Sequence, residues 1–218
     1  MDEGAARAEI CRVGASLFER GYVHATAGNI SMRLEDGFLI TPTDACLGFL
    51  EPARLSHVSA AGEHVSGDRP SKTLALHRRI YEADPGAACV IHTHSTHLVA
   101  LTLAGVWQPE DIVPPITPYY VMKVGHTPLI PYRRPGDAQV GDLVARAIAG
   151  FRAKGAPIRA VMLERLGPNV WHETPAAAMA VLEELEETAK LWLAGGRRAE
   201  PLDEIRIDEL RRAFGAHW

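Results

Sequence analysis

The sequence has few of the features that mark a secreted or membrane-spanning protein. It contains only three cysteines, Cys11, Cys46 and Cys89, which are far apart and lie in apolar surroundings. An odd, scattered set of thiols is typical of a reducing compartment and does not predict a disulfide framework. No apolar run approaches the length needed to cross a bilayer, and no signal peptide precedes Glu3. We therefore expect a soluble cytoplasmic protein and no membrane partner.

The chain also lacks a dominant charge. Its 23 Lys and Arg residues against 27 Asp and Glu residues give a formal net charge of -4. This balance offers no electrostatic basis for binding nucleic acid or an anionic membrane, so a small-molecule partner is the better expectation. There is no long linker, internal repeat or low-complexity tract. A chain of 218 residues with 47% hydrophobic content predicts a single domain that spans residues 1–218.

The most informative stretch runs from Cys89 to His97. Its short apolar start predicts a buried strand, and His92 and His94 then stand two residues apart, which places both imidazoles on one face of an extended chain. Neutral imidazole is the commonest protein ligand for zinc and similar ions. The alternative is a pair of polar core histidines bonded to backbone groups, because such short patterns also recur by chance.

Three turns carry groups that suit a phosphate. Two of them, Gly28-Asn29 and Thr41-Pro42-Thr43, would offer backbone N–H and hydroxyl donors. Asp36-Gly37 predicts a hairpin between the strand that follows Gly28-Asn29 and the strand that precedes Thr41. The third turn contains Ser71, which is predicted to cap a helix whose exposed N–H groups, beside Lys72, favour an anion. Each of these is alternatively an ordinary turn or a capped helix with a solvated lysine.

The remaining pattern mixes helices and strands. A stripe of apolar residues predicts a packing helix over Glu3 to Arg20, and Thr174-Pro175 predicts the start of another that ends near Leu193. The segment from Leu55 to Ser66 predicts a strand pair. Strands in hairpins and in alternation with helices indicate a mixed α/β domain.

Taken in order, the motifs Thr26-Ala27-Gly28-Asn29-Ile30-Ser31, Ile40-Thr41-Pro42-Thr43, Pro70-Ser71-Lys72 and His92-Thr93-His94-Ser95 resemble the class II aldolase/adducin family. The resemblance covers nearly the whole chain, to about residue 195. It implies a three-layer αβα sandwich around a mostly antiparallel central sheet. It further implies a homotetramer with active sites between subunits and a divalent metal, usually Zn²⁺, that binds an enediolate.

The resemblance also assigns roles to individual residues. Gly28, Asn29, Thr43 and Ser71 match the phosphate-binding turns, His92 and His94 match two of three metal histidines, and Tyr119 lies near a mobile catalytic tyrosine. Asp44 stands where the family usually has glycine. A carboxylate is unfavourable beside a phosphate unless the Asp44 side chain turns outward or pairs with Lys72.

Two departures from the aldolases affect the metal and the base. Thr73 stands where they have a glutamate that acts as base and metal contact, and Leu166 stands where they have the third metal histidine. Because two protein ligands are too few for a stable zinc site, another group must complete the shell. His126 is the first candidate, and Glu164, which shares a strand face with Leu166, is the second.

The missing base favours one reaction type. An aldolase that works in the synthetic direction, or an epimerase, must remove a proton from carbon to form the enediolate. Loss of CO2 from a β-keto acid forms the same enediolate without a base. Through Pro70-Ser71-Lys72-Thr73 and the stretch from Pro118 to Gly125, the chain most resembles a subfamily that converts a 3-oxo-tetronate 4-phosphate to dihydroxyacetone phosphate and CO2. This resemblance implies that the protein is a carbon-carbon lyase. Lys72 would bind phosphate or carboxylate, and Tyr119, Tyr120 or metal-bound water would return the proton. The alternatives are a sugar-phosphate aldolase and a non-catalytic adducin-like module.

Overall fold

The central sheet has eight strands, which lie in the order β4-β3-β2-β1-β5-β8-β7-β6. The fold is seen in a computed structural model that describes residues 2–218. Among the described residues, only the pair β6–β7 is parallel, and all other neighbours are antiparallel. The strands are β1 Asn29–Arg33, β2 Gly37–Ile40, β3 Ser56–Ser59, β4 His64–Ser66, β5 Cys89–His92, β6 Leu129–Ile130, β7 Ala160–Leu163 and β8 Gly167–His172.

Helices cover both faces of this sheet. They are α1 Glu3–Glu19, α2 Leu74–Ala83, α3 Thr96–Ala104, α4 Gln139–Ala153, α5 Pro175–Ala194 and α6 Glu204–Phe214. The larger apolar cluster lies between the sheet and α1, α3 and α5, and a second cluster lies between its other face and α2 and α4. The predicted αβα sandwich with a mostly antiparallel sheet is therefore confirmed.

Strand β5 shows how the sequence pattern positions the site. Side chains alternate between the faces of a strand, so Cys89 and Ile91 join the larger cluster while Val90 joins the second. His92 ends the strand on the same face as Val90, beneath α2. The alternating side chains of β5 therefore contribute to both apolar layers and place the His92 imidazole at the end of the strand.

Most local predictions are confirmed, and one is wrong. The Asp36-Gly37 hairpin joins β1 to β2, and Thr174 caps α5 by accepting a hydrogen bond from the backbone N–H of Ala177. Ser71 does not cap α2, which begins at Leu74 with no side-chain cap. The Ser71 hydroxyl instead bonds within the preceding turn: it lies 2.8 Å from the Thr73 hydroxyl and accepts from the backbone N–H of Thr73 at 3.4 Å. Within residues 2–218, no helix is both long and apolar enough to span a membrane.

Candidate metal and phosphate site

The two histidines of the His-x-His motif lie side by side at the end of β5. Their ring centroids are 5.1 Å apart and the rings meet edge to face at 70°. His92 is 4% exposed, whereas His94, which lies beyond the strand, is only partly buried. The structure therefore brings both imidazoles to one place, as the spacing predicted.

Strand β8 fixes the tautomer of His92. The Nδ1 atom of His92 lies 2.8 Å from the carbonyl oxygen of Pro168, which can only accept, so Nδ1 carries the proton and Nε2 keeps a free lone pair. Burial, with a smaller contribution from His94, lowers the pKa of His92 to about 4. Burial and the neighbouring His24 also lower the pKa of His94. Both rings are therefore uncharged at neutral pH, which is the form that binds a metal.

The glycine that begins β8 lies close to the backbone between the two histidines. Gly167 has φ +147°, and a Cβ atom there would lie 1.9 Å from the carbonyl oxygen of Thr93. Only glycine allows this approach. Leu166, the residue before it, is consequently a close chain neighbour of the histidine pair.

The predicted phosphate turns are drawn together beside this pair. The Thr43 hydroxyl donates to the carbonyl of Pro70 at 2.8 Å, and the backbone N–H of Ser71 donates to the carbonyl of Thr41 at 3.3 Å. The backbone N–H of Thr41 in turn donates to Ile30 at 3.0 Å. Three segments that are distant in sequence therefore share one edge of the sheet.

The Gly28-Asn29 turn joins these segments to the histidines. Gly28 has φ +84°, and a Cβ atom there would lie 2.8 Å from the carbonyl oxygen of His92. Asn29 pairs with His92 across β1 and β5, and its buried side-chain oxygen has no hydrogen-bond partner within residues 2–218. Buried acceptors are normally paired, so this oxygen is available to a bound hydroxyl or N–H group.

The structure also settles the orientation of two charged residues near the turns. Asp44 is exposed and has φ +58°, a left-handed conformation that glycine adopts more readily than other residues. Its carboxylate turns outward and does not pair with Lys72. Lys72 is exposed and lines an open groove of about 450 Å³ together with Ser71 and Arg78, on the outer side of α2.

The two tyrosines have opposite environments. Tyr119 is 61% exposed at the start of a π-helical turn that continues over Tyr120–Val124. Tyr120 is fully buried, and burial strongly raises its pKa. Of the two predicted proton donors, only Tyr119 is therefore accessible to a ligand or to another subunit.

The structure does not bring either predicted third metal ligand, His126 or Glu164, to the histidine pair. The Nδ1 atom of His126 lies 2.8 Å from the Asp111 carboxylate, and its ring stacks on Trp218 at 4.4 Å. Glu164 accepts a hydrogen bond from the backbone N–H of Tyr132 at 2.8 Å and lies in a turn, not in the extended strand expected for it. Neither residue is gathered with His92 and His94 within the chain, because β7 ends before Glu164 and Asp111 holds His126 in a separate cluster.

Sequence reasoning missed two polar residues that surround His92. Asn169 lies directly opposite His92 on β8, is fully buried, and has no hydrogen-bond partner for either amide atom within residues 2–218. His77 of α2 bonds the Ser31 hydroxyl through Nδ1 at 2.7 Å, and burial lowers its pKa to about 3. A polar residue between Pro168 and Val170 of β8 was a usable signal, but strand pairing is what places it beside His92.

The histidine pair fits a divalent ion as a partial ligand set. Two adjacent, unprotonated imidazoles are suitable donors, and the Pro168 carbonyl orients one of them in the way typical of metal-bound histidines. Protein zinc sites usually have three or four protein ligands. Across residues 2–218, however, no group of three or more His, Cys, Asp or Glu side chains is placed to share an ion.

Comparisons with known proteins find relatives that match nearly the whole chain. The chain is 58% identical over 221 residues to a 3-oxo-tetronate 4-phosphate decarboxylase of Cupriavidus necator, with 99% of each chain covered. It is 44% identical to a Pectobacterium atrosepticum protein of the same name, covering 95% of this chain and 93% of that protein. The solved structure of Escherichia coli YgbL, named for aldolase, epimerase or decarboxylase activity, superposes with a TM-score of 0.86 at 42% identity, covering 96% and 99% of the two chains.

A family comparison covers most of the chain. Residues 8–193 match the class II aldolase and adducin N-terminal domain, a span that includes the three phosphate turns and the histidine pair. The chain therefore belongs to the class II aldolase and adducin family.

Proposed function

We propose that this protein is a divalent-metal-dependent carboxy-lyase that converts a 3-oxo-tetronate 4-phosphate to dihydroxyacetone phosphate and CO2. The observation that carries the proposal is the convergence of the His92–His94 pair with three phosphate-type turns at one edge of the sheet. It occurs in a chain that is 58% identical, over its full length, to a protein named for this reaction.

In the proposed reaction the bond between the carboxylate carbon and carbon 2 breaks. CO2 leaves, and the electron pair passes onto the 3-oxo group to form an enediolate. One proton is then added to carbon 2, which gives dihydroxyacetone phosphate. A divalent ion held by His92 and His94 would supply Lewis acidity for the developing negative charge. Thr73, which has no carboxylate, is compatible with this route because no proton has to be removed from carbon.

The chain's own groups bind the substrate and handle the proton. Gly28, Asn29, Thr43 and Ser71 are proposed to line the 4-phosphate site, with the side-chain N–H of Asn29 and the Ser71 hydroxyl as donors. The Thr43 hydroxyl and the Ser71 backbone N–H, which donate to the carbonyls of Pro70 and Thr41, hold the turns in position around it. Tyr119 is proposed as the proton donor because its hydroxyl is accessible. Lys72 is proposed to attract the phosphate or carboxylate as a point charge from the rim.

The finer features of the proposal rest on general chemistry. Zn²⁺ is the proposed ion because imidazole is among its preferred ligands. In a homotetramer with active sites between subunits, which is part of the proposal, the 61% exposed Tyr119 would act on the site of a neighbouring subunit. A cytoplasmic location is supported by three free cysteines, Cys11, Cys46 and Cys89.

A coupled assay tests the proposal. Purified protein with added Zn²⁺ should release CO2 from a 3-oxo-tetronate 4-phosphate and should not release an aldehyde from a ketose 1-phosphate. His92→Ala should lower the rate of CO2 release by about 100-fold or more, because it removes a ligand of the ion that would stabilise the negative charge of the enediolate. His64→Ala, which removes an exposed imidazole from β4, is the matched control. Full activity in His92→Ala would refute the proposed role of the pair.

One observation favours a different class of function. Leu166 and Thr73 stand where the aldolases place a metal ligand and a base, as expected for a non-catalytic interaction module. Such a module would release neither CO2 nor aldehyde, and it would gain nothing from added metal. The same assay therefore separates the two candidates.

A further inference from the structure

The π-helical turn over Tyr120–Val124 is the segment that places Tyr119. Tyr119 has helical backbone angles, φ -66° and ψ -37°, immediately before the turn, and its side chain is 61% exposed. A side chain that lies largely in solvent takes its position from the backbone that carries it. Turns of this kind are rare and occur frequently at functional sites. The groups that hold the turn therefore determine where the Tyr119 hydroxyl can reach.

Both ends of the turn are held by hydrogen bonds. The backbone N–H of Tyr120 donates to the Thr117 hydroxyl at 3.1 Å, and the backbone N–H of Gly125 donates to the carbonyl of Tyr120 at 3.0 Å. Just after the turn, the buried Asp111 carboxylate accepts from Nδ1 of His126 at 2.8 Å. The His126 ring is therefore a fixed surface at the far end of the turn.

A single aromatic ring bridges these two ends. Trp218 stacks on His126 with 4.4 Å between ring centroids and 24° between planes. The same ring meets Tyr120 edge to face at 5.6 Å and 62°. Aromatic pairs at such separations stabilise a structure beyond the area that they bury. Because Tyr120 directly follows Tyr119, Trp218 acts one residue away from the proposed proton donor.

Helix α6 holds Trp218 in this position. The Nε and Nη2 atoms of Arg211 donate to the main-chain oxygen of Trp218 at 2.9 and 2.7 Å, and Arg211 also pairs with Asp208 at 2.6 Å. A Cβ atom at Gly125 would lie 3.0 Å from the carbonyl oxygen of His217, so this segment passes closely over the end of the turn. The residues from Arg211 to Trp218 therefore form a second support for the turn.

We propose that Trp218 is a positioning residue for the proposed reaction: by bridging His126 and Tyr120 it fixes the π-helical turn and holds Tyr119 in the orientation from which it donates its proton. This inference rests on the proposed function, which assigns Tyr119 as the donor. His126 then serves as the surface on which Trp218 stacks. Such support matters because misplacing a reacting group by about 1 Å can cost on the order of 100-fold in rate.

Steady-state kinetics of CO2 release by Trp218→Ala test the proposal. We expect kcat to fall by about 10- to 100-fold and KM to change by less than about 3-fold, because the ring positions the donor and does not bind the substrate. Trp218→Phe should keep most of kcat, since its ring can still stack on His126. Ile205→Ala, at an 83% exposed position near the start of α6, is the control and should keep kcat. An unchanged kcat in Trp218→Ala would overturn the proposal.

A double variant distinguishes positioning from a merely structural role. In the Tyr119→Phe background, Trp218→Ala should lower the remaining kcat by less than about 2-fold, because a ring that acts through the Tyr119 hydroxyl no longer has a donor to position. The same loss in both backgrounds would contradict the proposal. Arg211→Gln frees the main-chain oxygen of Trp218 and keeps the ring, so it should act in the same way. It decides the question if Trp218→Ala does not fold.

Hydrogen exchange gives a readout that needs no substrate. The backbone N–H groups of Val121 and Gly125, which donate to Thr117 and Tyr120, should exchange about 10-fold faster in Trp218→Ala, whereas those of β5 should not change. Unchanged protection of the turn would refute the positioning role. If wild-type protein releases no CO2, the proposed reaction is refuted and hydrogen exchange alone decides whether Trp218 fixes the turn.

Discussion

Replacing Gly167 by alanine should disturb the histidine pair without touching either ring. The new Cβ atom would lie 1.9 Å from the carbonyl oxygen of Thr93, whereas real Cβ contacts essentially never fall below 3.0 Å. The turn and the chain between His92 and His94 must therefore separate by about 1 Å, a displacement that can cost on the order of 100-fold in rate. Backbone strain at φ +147° and local overpacking each cost about 1 to 3 kcal/mol.

The assay combines urea denaturation with CO2 release. Gly155→Ala is the matched control, because Gly155 has φ +77° and a Cβ atom there would meet nothing within 4 Å. It should lose only about 1 kcal/mol from the positive φ and keep its activity. We expect Gly167→Ala to lose about 2 to 6 kcal/mol and most of its turnover. If the two variants behaved alike, the close approach of Gly167 to Thr93 would not be what positions the pair.

Two further predictions concern protonation. The pKa values of His77 and His92 are lowered to about 3 and about 4, so only the unfolded chain takes up protons at these residues as the pH falls below 6.5. As the pH falls from 6 to 4, the metal-free protein should therefore lose up to about 1.4 kcal/mol of unfolding free energy per histidine per pH unit. His77→Asn should reduce this pH dependence of the unfolding free energy, measured by urea titration at each pH. Tyr119→Phe should lower kcat by about 100-fold or more with little change in KM or stability, because the side chain is 61% exposed and acts as a proton donor. Tyr132→Phe, at 56% exposure, is its control, and equal kinetics in the two variants would exclude Tyr119 as the donor.

The sequence predicted the elements that depend on local patterns. The short apolar run that begins at Cys89 predicted a buried strand that ends in an imidazole, and Thr174-Pro175 predicted where α5 begins. The Asp36-Gly37 turn determined the β1–β2 hairpin. These predictions succeeded because side-chain periodicity and turn chemistry involve residues within a few positions of each other.

Local patterns were misleading where a residue's partner is distant in sequence. Ser71 has the chemistry of a helix cap, but its backbone N–H is tied to Thr41, and α2 starts three residues later. His126 has the chemistry of a metal ligand, but Asp111 and Trp218 hold it in another cluster. Spacing along the chain carries no information about these contacts.

The sequence by itself determined that two imidazoles lie at the end of one buried strand and that Leu166 and Thr73 cannot supply the ligands absent from the pair. That three turns bind a phosphate stays a prediction. Only the tertiary structure decided that the turns meet beside His92, that β8 fixes its tautomer through Pro168, and that no third ligand joins it within residues 2–218. The physical reason is that hydrogen bonding between strands and the packing of Gly167 against Thr93 join segments far apart in the chain, and these contacts depend on the whole sheet being assembled.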